Sequence, residues 1–201
     1  MARALDRLFT IEDWLAYEGE PDVLYELVEG RLVAMNPPKA WHGDIASEIA
    51  GICREALRDR FPCRVRSQAG LEIARKLKAN AYIADLAVTC EPFDENRPTM
   101  REPRLVIEVV SESTGRRDKT EKLADYMTLP SVEEVWLVMA GQRLVLQSTR
   151  GPDGWGKPEA YIGKASFASP VLAATVALDD IYRFTPMGQP AEPDEEASEP
   201  S

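Results

Sequence analysis

Two apolar runs, each interrupted by a single acid, constrain this chain more than any other feature. They are Tyr82-Ile83-Ala84-Asp85-Leu86-Ala87-Val88 and Leu105-Val106-Ile107-Glu108-Val109-Val110. The second is nearly continuous in apolar residues, which places it centrally in a sheet and covered on both faces. A buried, unpaired carboxylate is costly, so each acid needs a cation, a hydrogen-bond donor or a raised pKa. Two carboxylates on neighbouring strands also repel each other unless a cation sits between them. Hard oxygen ligands with room for water suit Mg2+ or Mn2+. The competing accommodation is a buried Arg or Lys for each acid, or an exposed strand edge.

Around these runs the pattern switches repeatedly between strand and helix. Residues 10–18 predict a short helix with Thr10 as N-cap and Glu12 and Asp13 near its positive end. Tyr25 to Met35 alternates about Glu29-Gly30, which predicts a hairpin, and Pro37-Pro38 ends it. Ile45, Ile49, Ile52, Ala56 and Leu57 recur at helical spacing between about Trp41 and Arg60. The segment from Arg64 to Lys76 and the Asp85 run read as strands joined by the polar turn Lys76–Asn80. A helix is predicted from about Arg116 to Thr128, stopped by Pro130, and strands follow at 133–139 and 142–149. Short strands and turns fill the chain to about Asp180. Helices segregated among mostly β segments give an α+β fold with an N-terminal β-hairpin.

The length of 201 residues fits one domain with a sizeable core, here residues 1–186. Residues 187–201 hold five of the chain's 34 acids and none of its 24 bases, a composition that predicts a disordered tail. The net charge of −10 disfavours broad non-specific binding to nucleic acid but permits local basic patches. No apolar run is long enough to span a membrane, and the N-terminus lacks the apolar stretch of a signal peptide. Three cysteines, an odd number without a CxxC pair, argue against a disulfide framework and a cysteine-built zinc site. Cytoplasmic residence is the expectation.

Asp118, Lys122 and Tyr126 recur four residues apart and so share one face of the helix that follows the Glu108 strand. A lysine there could polarise a phosphate or orient an attacking water beside the two carboxylates. Spacing alone equally gives an ordinary Asp118–Lys122 surface pair.

Taken in order, Tyr25-Glu26-Leu27-Val28-Glu29-Gly30-Arg31-Leu32, His42, Ala84-Asp85-Leu86-Ala87-Val88, Ile107-Glu108-Val109-Val110-Ser111-Glu112-Ser113-Thr114, Asp118 with Lys122 and Tyr126, and Val132-Glu133-Glu134-Val135-Trp136-Leu137-Val138 resemble the Uma2 family. That family of restriction endonucleases, formerly a domain of unknown function, belongs to the PD-(D/E)XK nuclease superfamily. The resemblance runs from about residue 8 to 185. It implies a restriction-endonuclease-like core, a mixed central β-sheet flanked by helices, and Mg2+-dependent hydrolysis of DNA phosphodiesters. It also implies metal-ligand roles for Asp85 and Glu108. The proline usual before the aspartate is Ala84 here, and the proline usual in the turn after Glu108 is Glu112. The superfamily's lysine falls at Val110, and Lys122 is the candidate to supply the amine from the helix. Glu26 and His42 match an acid and a histidine of the family and are the further catalytic candidates.

Arg116, Arg117 and Lys119 near the helix start, and the Arg75-Lys76-Lys78 turn, are candidates for phosphate contact. Glu72 is a secondary candidate for the site. A nuclease of this size is expected to act as a homodimer on both strands. The alternative is a catalytically inactive nucleic-acid-binding or interaction module on the same fold, which Val110 and the acidic balance favour.

Overall fold

The structure is a computed structural model in which residues 8–35, 40–73, 79–110 and 116–188 are described, with residue 40 and residues 116–120 described by backbone alone. Its elements are α1 (Ile11–Leu15), β1 (Tyr25–Val28), β2 (Arg31–Ala34), α2 (Ala40–Ala56), β3 (Arg64–Ile73), β4 (Asn80–Thr89), β5 (Pro103–Val110), α3 (Arg116–Tyr126), β6 (Glu134–Met139), β7 (Leu144–Gly151), β8 (Gly154–Trp155), β9 (Glu159–Ile162), β10 (Ser166–Ser169), β11 (Ala174–Ala177) and α4 (Leu178–Ile181). The large sheet is mixed: β5 and β6 run parallel and its other pairs are antiparallel. The α+β expectation is met, and the predicted elements are present.

Local chemistry explains the ends of the elements. Thr10 and Asp13 form a reciprocal capping box at the start of α1. The hairpin turns through Glu29 and Gly30 with φ of 50° and 76°, the left-handed pair that a two-residue hairpin turn requires. At the C-terminal end of α3, Arg150 donates to the carbonyls of Met127, Leu129 and Pro130, and the Trp155 indole donates to Met127. These bonds satisfy carbonyls that the end of a helix leaves open.

The sheet is covered on both faces. On one, Ile45, Ile49, Cys53 and Leu57 of the α2 segment pack with α4 and the β10–β11 hairpin against Leu86, Val88, Leu105, Ile107, Trp136 and Val138. On the other, Tyr126 and Leu123 of α3 pack against Ala69, Leu71, Tyr82, Ala84, Val106 and Val135. Glu134 is fully buried on the α2 face. It accepts from the Trp136 indole, the Gln147 amide, the Ser169 hydroxyl and the Val171 N–H, which fastens β10 and its following turn to the sheet.

Side-chain alternation breaks at one place in both strands of the β3–β4 pair. In β3, Val65 packs on the α2 face but Ala69, Leu71 and Ile73 pack on the α3 face. In β4, Tyr82 and Ala84 lie on the α3 face but Leu86 and Val88 on the α2 face. A regular strand keeps residues two apart on one face. Between the pairs Ser67↔Leu86 and Ala69↔Ala84, Gln68 lies across from Asp85, and Gln68 has φ of 49°. The break in the pleat therefore falls at Asp85.

The cysteine expectation is corrected. Cys63 and Cys90 form a disulfide, and Cys53 is a free, buried thiol. Cys63 and Cys90 flank the first β3–β4 pair, Arg64↔Thr89, so the strand register brings them together. An odd count excludes complete pairing of all three, not one bridge set by a long-range register. Among the described residues no helix is long and apolar enough to cross a membrane. The Lys76–Asn80 turn for the most part, Pro37-Pro38, the SESTG turn and most of the acidic tail lie outside the described residues.

Candidate active site

The site forms where two strands part. β3 pairs with β4 from Asn80 to Thr89, so β1 and β5 share the opposite edge of β4. β1 meets that edge at Ala81, and β5 meets it from Leu86 onward. Between these contacts the edge opens, and backbone N–H groups there need acceptors other than a neighbouring strand. Carboxylates supply them. Glu26 Oε1 accepts the Ile83 N–H at 2.9 Å, and Asp85 Oδ2 accepts the Val109 N–H at 2.7 Å.

Each of the three acids at this opening also faces a proton-bearing side chain from a helix. His42, in the first turn of α2, places Nε2 3.1 Å from Asp85 Oδ2. Lys122 of α3 donates from Nζ to Glu26 Oε1 at 2.7 Å. Tyr126, one turn further along α3, donates its hydroxyl to Glu108 Oε1 at 2.6 Å. Lys122 and Glu26 keep only 14% and 7% of their side-chain surface exposed, so their pairing is shielded from solvent.

The electrostatics follow from this crowding. Glu108 is pushed up to about 8, first by burial and then by the charge of Asp85, with Glu26 adding to the rise and Lys122 and the Tyr126 bond opposing it. His42 is raised above its ordinary value, mainly by its hydrogen bond to Asp85, although burial opposes the shift. Burial and the neighbouring Glu108 hold the Tyr126 phenol well above its usual range, so it stays a donor.

Asp85 and Glu108 are the residues at the opening that could hold a divalent cation. The hydrogen bonds to Asp85 use Oδ2 and that to Glu108 uses Oε1, so Oδ1 of Asp85 and Oε2 of Glu108 receive no hydrogen bond from a described residue. Among the described residues no three His, Cys, Asp or Glu side chains form a complete cage. Mg2+ is a cation that one or two carboxylates commonly hold together with several waters.

The structure thus brings Asp85, Glu108, Lys122, Glu26 and His42 to one opening. Glu72 stands apart, tied to Arg97 by two 3.0 Å bonds and to Thr99. Arg116, Arg117 and Lys119 lie at the start of α3, and their side chains are outside the described residues, as are Arg75, Lys76 and Lys78. Sequence reasoning missed the bond from Tyr126 to Glu108, although its spacing from Lys122 marks the shared face. It also missed Asn80, Tyr82 and Asp125, which form a buried polar cluster behind Lys122.

A mixed sheet flanked by helices, with acids gathered where two strands diverge, defines an α+β protein with a buried carboxylate site open at one strand edge. The chain belongs to the Uma2 family, described as "Putative restriction endonuclease", whose sequence model matches residues 11–179. Two uncharacterized proteins of Synechocystis sp. are similar. One, slr1290, is 25% identical over 86% of this chain and 90% of its own length; the other, sll1609, is 24% identical over 69% of this chain and 78% of its own. A crystal structure described as a putative nuclease belonging to DUF820, from Anabaena variabilis, superposes with a TM-score of 0.69. It is 18% identical and covers 87% of this chain and 97% of that one, a likeness of fold.

Proposed function

We propose that the chain is a Mg2+- or Mn2+-dependent DNA endonuclease whose cation is held by Asp85 and Glu108. The observation that carries this reading is the convergence of three acids on one opening in the sheet, each facing a proton-bearing side chain. Membership of a family described as a restriction endonuclease supports phosphodiester hydrolysis as the chemistry. A bound divalent cation supplies an activated water and charge neutralisation at the scissile phosphate.

The chain's own residues have distinct tasks. Asp85 and Glu108 would hold the cation, and Val109, His42 and Tyr126 orient these carboxylates through Asp85 Oδ2 and Glu108 Oε1. Lys122, anchored by Glu26, places a positive charge in the opening that Val110 leaves without one. It is the group that stabilises negative charge developing on the phosphate. His42, 3.1 Å from Asp85 Oδ2, is the candidate to give a proton to the departing oxygen. Arg116, Arg117 and Lys119 at the start of α3 are the candidate contacts to flanking phosphates.

Purified protein should cleave DNA in Mg2+ or Mn2+ and not in EDTA. Asp85→Ala and Glu108→Ala should each abolish cleavage and the cation-binding heat seen by calorimetry. Wild-type protein that binds no divalent cation would sink the assignment. An inactive binding module, favoured by the apolar Val110, predicts instead DNA binding that persists in EDTA with no cleavage.

A further inference from the structure

Behind Lys122 lies a polar cluster that the proposed chemistry does not use directly. Asp125, 1% exposed, follows Lys122 by three residues and precedes Tyr126. Its Oδ2 accepts from the Asn80 amide and from the Tyr82 hydroxyl, each at 2.7 Å, and Asn80 also donates to the Tyr82 hydroxyl at 2.9 Å. The Asn80 carbonyl oxygen accepts the Glu29 N–H at 2.6 Å, in the turn that ends β1. The Tyr82 ring lies 5.4 Å from the Lys122 ammonium and meets the Tyr126 ring edge-on at 5.7 Å.

This cluster therefore joins the three elements whose side chains must agree at the site: β1 with Glu26, β4 with Asp85, and α3 with Lys122 and Tyr126. Apolar packing by Leu123 and Tyr126 already holds α3 on the sheet. A buried carboxylate adds a desolvation cost to that packing, and what it contributes in return is orientation. Hydrogen bonds fix the rotation and height of a helix far more tightly than apolar contacts do, because they tolerate only a few tenths of an ångström.

We propose that Asn80, Tyr82 and Asp125 are positioning residues that set the Lys122 ammonium against Glu26 in the proposed nuclease site. The inference rests on the nuclease reading for its kinetic consequences and on geometry alone for its structural one. Displacing Lys122 by a fraction of an ångström removes charge stabilisation in the transition state while leaving the Asp85–Glu108 cation pair in place.

The test is a double-mutant cycle on Asp125→Asn and Lys122→Met, read by DNA cleavage in Mn2+, with a crystal structure of Asp125→Asn. Asp125→Asn should lower kcat about tenfold while KM and the Mn2+ dissociation constant stay within about twofold. Adding it to Lys122→Met should cost nothing further, because the lysine it positions is gone. In the crystal the Lys122–Glu26 bond should be broken with the sheet unchanged. Independent, additive losses in the cycle would overturn the proposal, as would an intact Lys122–Glu26 bond in the variant. Tyr82→Phe keeps the ring under Lys122 and serves the same cycle if Asp125→Asn does not fold. Wild-type protein without cleavage would remove the nuclease reading, and the Lys122–Glu26 bond in the variant crystal would still decide the positioning role.

Discussion

At the scale of single residues, Glu108 carries the clearest consequence. Its folded pKa of about 8 stands above the ordinary 4.5, so ionising it costs the fold stability. The cost is absent below about pH 4.5, grows as the pH rises, and is complete above about pH 8. Glu108→Gln keeps an oxygen for Tyr126 and removes the charge. It should stabilise the metal-free protein by on the order of 2 kcal/mol at pH 9 and by almost nothing at pH 4, seen in paired thermal melts. A cation at the site must displace the same proton. Calorimetry in buffers of different ionisation enthalpy should show about one proton released at pH 7 and none at pH 9. The two strand acids are legible in the sequence because each interrupts an apolar run. Their partners are not, because His42, Lys122 and Tyr126 reach them through tertiary placement that periodicity does not encode.

At the scale of elements, the strands and helices follow from patterning, caps and turn residues, so their existence is legible. The Thr10 box, the Glu29-Gly30 turn and the spacing of Ile45 and Ile49 each stand where the structure uses them. The reversal of side-chain faces at Gln68 and Asp85 is not legible, since Ala-rich β4 looks equally apolar on both sides. The role of Glu134 is also hidden. In sequence it is one of two adjacent acids opening a strand, whereas in the fold it is buried with four donors around it. Glu134→Ala leaves the Trp136, Ser169 and Val171 donors without that acceptor and removes one of the two bonds of the Gln147 amide. It should cost on the order of 3–5 kcal/mol by denaturant unfolding, through loosening of the β10–β11 hairpin rather than loss of cation binding.

At the scale of the whole molecule, the Cys63–Cys90 bridge closes the open end of the β3–β4 pair across a sequence separation of 27 residues. Loop closure of that length contributes roughly 3 kcal/mol in the chain-entropy picture. Cys63→Ser with Cys90→Ser should lower the unfolding free energy measured by denaturant titration in non-reducing buffer by about that amount and leave the site's cation affinity unchanged. The bridge escaped sequence reasoning because two cysteines far apart along the chain meet only once the strand register is known. The parting of β1 and β5 along β4 has a consequence of its own. Glu26 and Asp85 answer backbone groups that any molecule with this divided sheet must satisfy. Architecture alone therefore favours an acceptor at both positions, whatever chemistry the site carries out.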